Sequence, residues 1–368
     1  MVAKHFGTNW FTTVMGVGIV AALTYASPVH FPGQHTLGTV LFVLANVVFV
    51  LAASLWVTRW ILHTQEALDD FRHPARALFY GALAMGINVM GNAYLVVGVH
   101  VLAPSLAIVI SQTFWVVGVI VSLFTVITIP YLLFVSHRVE VTETAASWLI
   151  PVVPPIVAAA TGSSLLPTWG SIGIERALTA LILAMFGATF FLFLMVSAMV
   201  YARMVYHRRV PGDQAPSLWV EIGPIGMSMA TFSTLPTTAG ATGPLLHPIV
   251  AIGAVFSMAM WGAGAWWIVI STLHSLLHIG PKGDGIPFHL GWWSYIFPIG
   301  SFTTGTNAVT NLSHWSFFST VGFIQLIVLW GFFVVVFSRT VWGALNGSLL
   351  GGHRLIPTFE WKASNKAS

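Results

Sequence analysis

Hydroxyl and amide side chains recur in stretches that are otherwise strongly apolar: Thr12, Thr13, Asn88, Asn92, Thr161, Thr231, Ser233, Thr234, Thr303, Thr304 and Asn307. Neutral donors of this kind can replace the water around a permeating solute without holding it tightly. No lysine or arginine lies deep in the stretches that carry them. That favours weak, fast binding and argues against a deep arginine clamp. The densest set begins at Pro287. An aromatic cluster (Trp292, Trp293, Tyr295) is followed by Phe297-Pro298, then by Gly300, Ser301, Thr303, Thr304, Gly305, Thr306 and Asn307. Proline removes one backbone hydrogen bond and kinks a helix. The stretch therefore reads as a bent helix lining a polar path, with Phe297 at the bend.

Other groups could do different chemistry. Glu221 precedes Gly223-Pro224 and is a candidate proton relay, or an acid that is solvated or paired with a nearby arginine. His274 and His278 have the i, i+4 spacing that could seat a metal, but no further ligands are evident, and interfacial histidines are the alternative. His100, His247 and His314 lie near the far ends of spans and could tune access with pH. The chain has no cysteine, which excludes disulfides, thiolate metal sites and thiol catalysis. An integral membrane enzyme or metal-binding subunit built on His274 and His278 is the second reading. It lacks a clustered His/Asp/Glu set and a Gly-rich phosphate loop. No catalytic residue, cofactor or nucleic-acid partner is expected.

The elements that position these residues follow from composition. Of 368 residues, 57% are hydrophobic and 7% charged, with a mean hydropathy of +0.86. A soluble domain carries about 25% charged residues. This is the composition of an all-α integral membrane protein whose partner is the lipid bilayer, and the tryptophans suit interfacial belts. Hydropathy divides it into ten spans, at 10–27, 37–62, 77–99, 105–135, 146–163, 173–203, 218–239, 248–278, 288–311 and 315–341. Residues 1–342 form one membrane domain and 343–368 a cytoplasmic tail. The first run carries Asn9, Thr12, Thr13, Gly16 and Gly18, which suit a packed or pore-facing helix better than a cleaved leader. With ten spans, Lys4, Arg59, Arg72, Arg76, Arg138, Arg203, Arg208, Arg209, Lys282, Arg339, Arg354, Lys362 and Lys366 all fall on one side. Both termini are then cytoplasmic, in a plasma (inner) membrane.

A second alternation separates the spans. The odd ones collect helix breakers and polar groups, such as Gly81, Gly86 and Gly91 in the third, Pro151, Pro154 and Pro155 in the fifth, and Pro224 and Pro236 in the seventh. The even ones are richer in Val, Leu, Ile and Phe, although Gly262 and Gly264 blur the contrast in the eighth. Breakers and polar groups within a membrane must face protein or water. Five odd helices are therefore expected to form an inner ring around a pore, and five even helices an outer sleeve.

Four segments, NWFTTVMGVGIVA (9–21), WLIPVVPPIVAAATG (148–162), WVEIGPIG (219–226) and GWWSYIFPIGSFTTGT (291–306), resemble the tellurite-resistance/dicarboxylate transporter family. That family includes tellurite-resistance proteins, fungal malic-acid permeases, fungal sulfite pumps and plant slow anion channels. The chain is more similar to the malate and sulfite branch. The resemblance implies ten helices as five hairpins around a central pore, usually in a homotrimer. It also implies small anions as the permeating species, whether C4-dicarboxylates such as malate, or sulfite and other oxyanions. A gating phenylalanine on the ninth helix falls on Phe297, followed by Pro298.

Overall fold

The computed structural model describes residues 2–137, 139–207, 209–238, 246–281 and 283–350. Arg138, Arg208, Lys282 and the tail beyond Leu350, with Arg354, Lys362 and Lys366, lie outside them, as does the His247 side chain. Among the described residues there are helices and no strand. In chain order we label α1 (Phe11–Tyr25), α2 (Gln34–Leu62), α3 (Tyr80–Ala93), α4 (Pro104–Val135), α5 (Pro154–Leu165), α6 (Ile172–Tyr206), α7 (Ile222–Thr238), α8 (Leu246–Ile279), α9 (Ile296–Ser313) and α10 (Ser316–Leu345).

Six stretches are long and apolar enough to cross a membrane: Gln34–Leu62, Pro74–Val101, Pro104–Val135, Ile172–Tyr206, Val250–Ile279 and Ser316–Leu345. They cover the even spans and the third. The other odd spans hold shorter helices, with 15 residues in α1, 12 in α5, 17 in α7 and 18 in α9. At 1.5 Å per residue a helix the length of α5 reaches only about 18 Å, against a hydrocarbon core of about 30 Å. Each is preceded by a tighter 3₁₀ segment: Thr8–Trp10, Ala146–Leu149, Gly212–Glu221 and Leu290–Tyr295. Pro154 and Pro155 stand in the first turn of α5, where a missing N–H leaves no carbonyl unserved. The same logic corrects the expected bend at Phe297. The helix starts at Ile296, and Pro298 lies in its first turn rather than kinking a longer helix.

Such irregular backbone survives at membrane depth only when buried in protein or lining a cavity. Burial follows this rule. Every residue of α1 except Tyr25 is buried, as is every residue of α5 except Ser164. In the long even helices only 22–33% of the most apolar window is buried. Each long helix packs on the short one before it: α2 on α1, α4 on α3, α6 on α5, α8 on α7 and α10 on α9. The buried helices also pack on one another in a closed cycle, α1 on α3, α3 on α5, α5 on α7, α7 on α9 and α9 on α1. The 3₁₀ segment Thr8–Trp10 meets Leu290–Tyr295, which meets Gly212–Glu221, which meets Ala146–Leu149. Helices α1, α5, α7 and α9 therefore start together at one end of the bundle.

At that end a buried ion pair fixes the short helix Thr64–Arg72. The Arg59 guanidinium donates to both Asp70 oxygens, at 2.6 and 3.1 Å, and to the carbonyls of Phe6 (3.1 Å) and Glu66 (2.9 Å). Arg76 adds a bond to Asp70 at 3.2 Å.

Helices α7 and α9 touch backbone to backbone. A methyl on Gly226 would sit 2.3 Å from the Ser301 carbonyl carbon. Gly226→Ala is therefore expected to destabilise the protein by about 1–3 kcal/mol, the usual cost of overpacking. Gly187→Ala on α6, where open space meets the new methyl, is expected to hold or slightly raise the thermal midpoint in detergent.

Candidate functional site

The buried helices carry all the hydroxyl and amide residues singled out above, but their side chains do different things. Thr12 and Thr13 donate to the carbonyls of Asn9 and Trp10 at 2.6 and 2.7 Å. Thr231 donates to Met227 at 2.8 Å, Thr303 to Ile299 at 2.8 Å and Thr304 to Gly300 at 2.9 Å. A hydroxyl has one proton. These residues spend it on their own helix and turn lone pairs outward, so in this arrangement they are acceptors.

A second group faces the outer helices. Asn88 donates to Ala84 at 2.9 Å and to Ser122 on α4 at 3.1 Å. Ser233 donates to Ser257 on α8 at 3.0 Å. The Asn307 Oδ1 is buried without a partner against Gly322 of α10. Gly118 and Gly322 provide the space, since a methyl at either would sit 2.4 Å from the amide oxygen it faces. A third group has donors to spare. Asn92, Thr161 and Thr234 have no side-chain hydrogen bond among the described residues, and Asn92 and Thr234 are partly exposed.

Phe297 is buried in the main apolar cluster, one residue into α9 and just before Pro298. Glu221, the last residue of its 3₁₀ segment, is fully buried and faces outward to α6. The Ser197 hydroxyl donates to its Oε2 at 2.5 Å, while Oε1 is buried without a partner. No arginine pairs with it among the described residues.

His274 and His278 do come together, with their Nε2 atoms 3.3 Å apart. The His278 Nδ1 bonds to Asp284, which also lies 3.6 Å from Arg209 and accepts from the Gly212 N–H at 3.4 Å. Among the described residues no group of three or more His, Cys, Asp or Glu is placed to hold a metal ion. The pair ties the end of α8 to the segment entering α7.

Sequence reasoning missed a cavity of about 610 Å³ at the end where the 3₁₀ segments gather. Arg72, His73, Arg76, His137, Trp148, Ser217 and Ser294 are among the residues that line it. Arg72 and Arg76 registered only as charges that orient the chain. His73 and His137 carry no joint signal, because they lie far apart in sequence. The His137 Nε2 donates to the Phe71 carbonyl at 3.0 Å. The Nδ1 atoms of His73 and His137 and the Ser217 Oγ are buried with no partner among the described residues. Burial, and then the Arg76 charge, hold His73 below the usual histidine range.

A family model described as voltage-dependent anion channel matches residues 5–341. An uncharacterized transporter of Methanocaldococcus jannaschii is 28% identical over 358 residues, covering 96% of this chain and 97% of the relative. The sulfite efflux pump of Trichophyton rubrum is 29% identical over 355 residues, covering 94% and 92%. The malic acid transport protein of Schizosaccharomyces pombe is 21% identical over 337 residues, covering 89% and 75%.

Asp284 gives a pH prediction. Its hydrogen bond from His278, ahead of backbone donors, lowers its pKa from 3.8 to about 2. A depressed carboxyl adds stability that is complete above the unfolded value and lost as pH falls through the folded one. Thermal midpoints in detergent should therefore drop between roughly pH 4 and pH 2. Asp284→Asn should lower the midpoint at neutral pH and flatten that drop.

Proposed function

The chain belongs to the voltage-dependent anion channel family, and on that premise we propose that it moves small oxyanions or C4-dicarboxylates across a membrane. The passage runs inside the cycle of α1, α3, α5, α7 and α9. The observation that carries this reading is that cycle: five buried, broken helices each pack on the next and close on themselves, behind five long apolar ones. In this reading the ten helices are five membrane-crossing hairpins, with an inner ring and an outer sleeve. The gathered 3₁₀ ends, beside Arg59, Arg72 and Arg76, face the cytoplasm, and both termini lie on that side of a plasma (inner) membrane. The protein assembles as a homotrimer.

The chemistry follows from which donors are unspent. Asn92, Thr161 and Thr234 replace part of the anion's water. The threonines that bond back to their own helix, Thr12, Thr13, Thr231, Thr303 and Thr304, take part by rotating the hydroxyl toward a passing anion. Asn88 and Ser233 hold the inner ring to the sleeve, and Asn307 keeps its amide donors for the anion. No fixed positive charge sits midway, so residence is short. Phe297 narrows the passage near the start of α9 and gates it by excluding water. Pro298 sets that ring at the first turn. Glu221, buried without a counter-charge, serves as a proton relay when transport is proton-coupled.

Reconstitution into sealed vesicles with sulfite, nitrate, chloride and malate tests the reading. Movement of at least one is expected, whereas an enzyme or a structural subunit moves none. Phe297→Ala should raise flux several-fold, and unchanged or reduced flux in a well-expressed variant removes the gate. Thr161→Val should reduce flux without changing the thermal midpoint. Glu221→Gln should abolish the acceleration of flux by a pH gradient while sparing flux at symmetric pH.

A further inference from the structure

We propose that the cavity at the gathered helix ends is a loading site that takes up a small oxyanion together with a proton, the proton going to His137 or His73. The choice of ligand rests on the anion-transport reading above. The site lies apart from the passage residues already assigned.

The argument starts from the unpartnered atoms. Because the His137 Nε2 donates to the Phe71 carbonyl, its Nδ1 is an acceptor while the ring is neutral. That Nδ1 is buried and has no donor among the described residues; the His73 Nδ1 is also buried without a partner among them, with its tautomer not fixed by a second bond. An unsatisfied buried acceptor is costly. It is relieved by a ligand that brings a proton, or by protonation of the ring, which then donates to the ligand. The two routes consume the same proton.

The charges on the wall require the same coupling. Arg72 and Arg76 spend one nitrogen each on Asp69 and Asp70, at 2.8 and 3.2 Å, and a guanidinium has five donors. Facing them at the wall are the carboxylates of Asp69, Glu143 and Asp213. Asp69 is bound to Arg72, Glu143 accepts from the Glu140 N–H at 3.0 Å, and Asp213 has no ion pair among the described residues. With both imidazoles neutral, two guanidiniums among the described residues meet three carboxylates, and an anion gains little. One added proton cancels that excess and a second reverses it. His289 also lines the cavity, but Nε2 bonds to the Asp213 carbonyl at 2.7 Å and Nδ1 accepts from the Gly291 N–H at 3.0 Å, so it is not the acceptor. Beyond these groups, His73 feels Arg76, Asp70 and His137. The segments leading into α5, α7 and α9 supply Trp148, Ser217 and Ser294 to the wall, so positive helix ends add to the pull on an anion. Ser217 offers a free hydroxyl.

Sulfate is a suitable probe because it carries no titratable proton near neutral pH, so any proton taken up belongs to the protein. Titration calorimetry of the detergent-solubilised full chain, in two non-phosphate buffers of different ionisation enthalpy, counts protons per sulfate. About one proton per anion is expected at pH 7.5, with affinity falling as pH rises. In His137→Gln the amide can still donate to Phe71 but cannot titrate, so the proton count should fall by at least half. His73→Gln should remove the remainder. Arg72→Gln should weaken binding about tenfold with the count unchanged. Sulfate binding without proton uptake, no binding, or a His137→Gln/His73→Gln double variant that still takes up one proton would each overturn the proposal. Vesicle flux of sulfite and nitrate, run in parallel, separates the two readings. Absent flux with proton-linked binding intact sinks only the transport reading, and intact flux with no proton uptake sinks only the loading site.

Discussion

The structure depends on one constraint: a backbone polar group in hydrocarbon has no water to turn to and must be served inside the protein. Helices α1, α5, α7 and α9 are too short to serve a whole bilayer crossing, and each begins as a 3₁₀ segment. They are viable because they are wrapped. The long helices bring a continuous apolar exterior, with residues such as Val40, Ile120, Phe191, Val255 and Ile327 exposed on it. The glycines of the inner helices let backbones approach where side chains would hold them apart, as between Gly226 and Ser301.

The same constraint decides what the polar side chains can offer. A threonine in a dry helix is most cheaply satisfied by its own carbonyl one turn back, and Ser301, Thr303, Thr304, Thr306 and Thr310 all take that bond. A row of hydroxyls is thus not a row of free donors. An anion in the proposed passage relies on the few donors left over and on the positive ends of helices that start side by side.

The cationic residues do more than orient the chain. Arg59 ties α2, the N-terminal segment and the helix Thr64–Arg72 through one carboxylate and two carbonyls. Arg203 reaches the Thr142 carbonyl at 3.0 Å, and Arg339 lies over the rings of Phe288 and Trp292 at 5.9 and 5.3 Å. These ties hold the loops whose side chains form the cavity wall. A buried pair such as Arg59–Asp70 adds little net stability over an apolar pair, but breaking it leaves a charge stranded. Its effect is to set position.

The amino-acid sequence by itself determined the membrane class, the family and the separation of the chain into apolar helices and broken polar ones. Each of these is a property of composition or of neighbours along the chain. It pointed to Glu221 and to the closeness of His274 and His278, because one helical turn sets that spacing. Only the tertiary structure decided where side chains point. Asn88 and Asn92 sit on the same stretch of chain, yet one is bonded to α4 and the other has no side-chain hydrogen bond among the described residues. Phe297 became the start of a helix rather than a bend, because proline in a first turn breaks nothing. His73 and His137 were brought to one cavity by the hairpin of α3 and α4 between them. Local spacing fixes periodicity and polarity, whereas facing and proximity come from packing between segments that are strangers in the sequence.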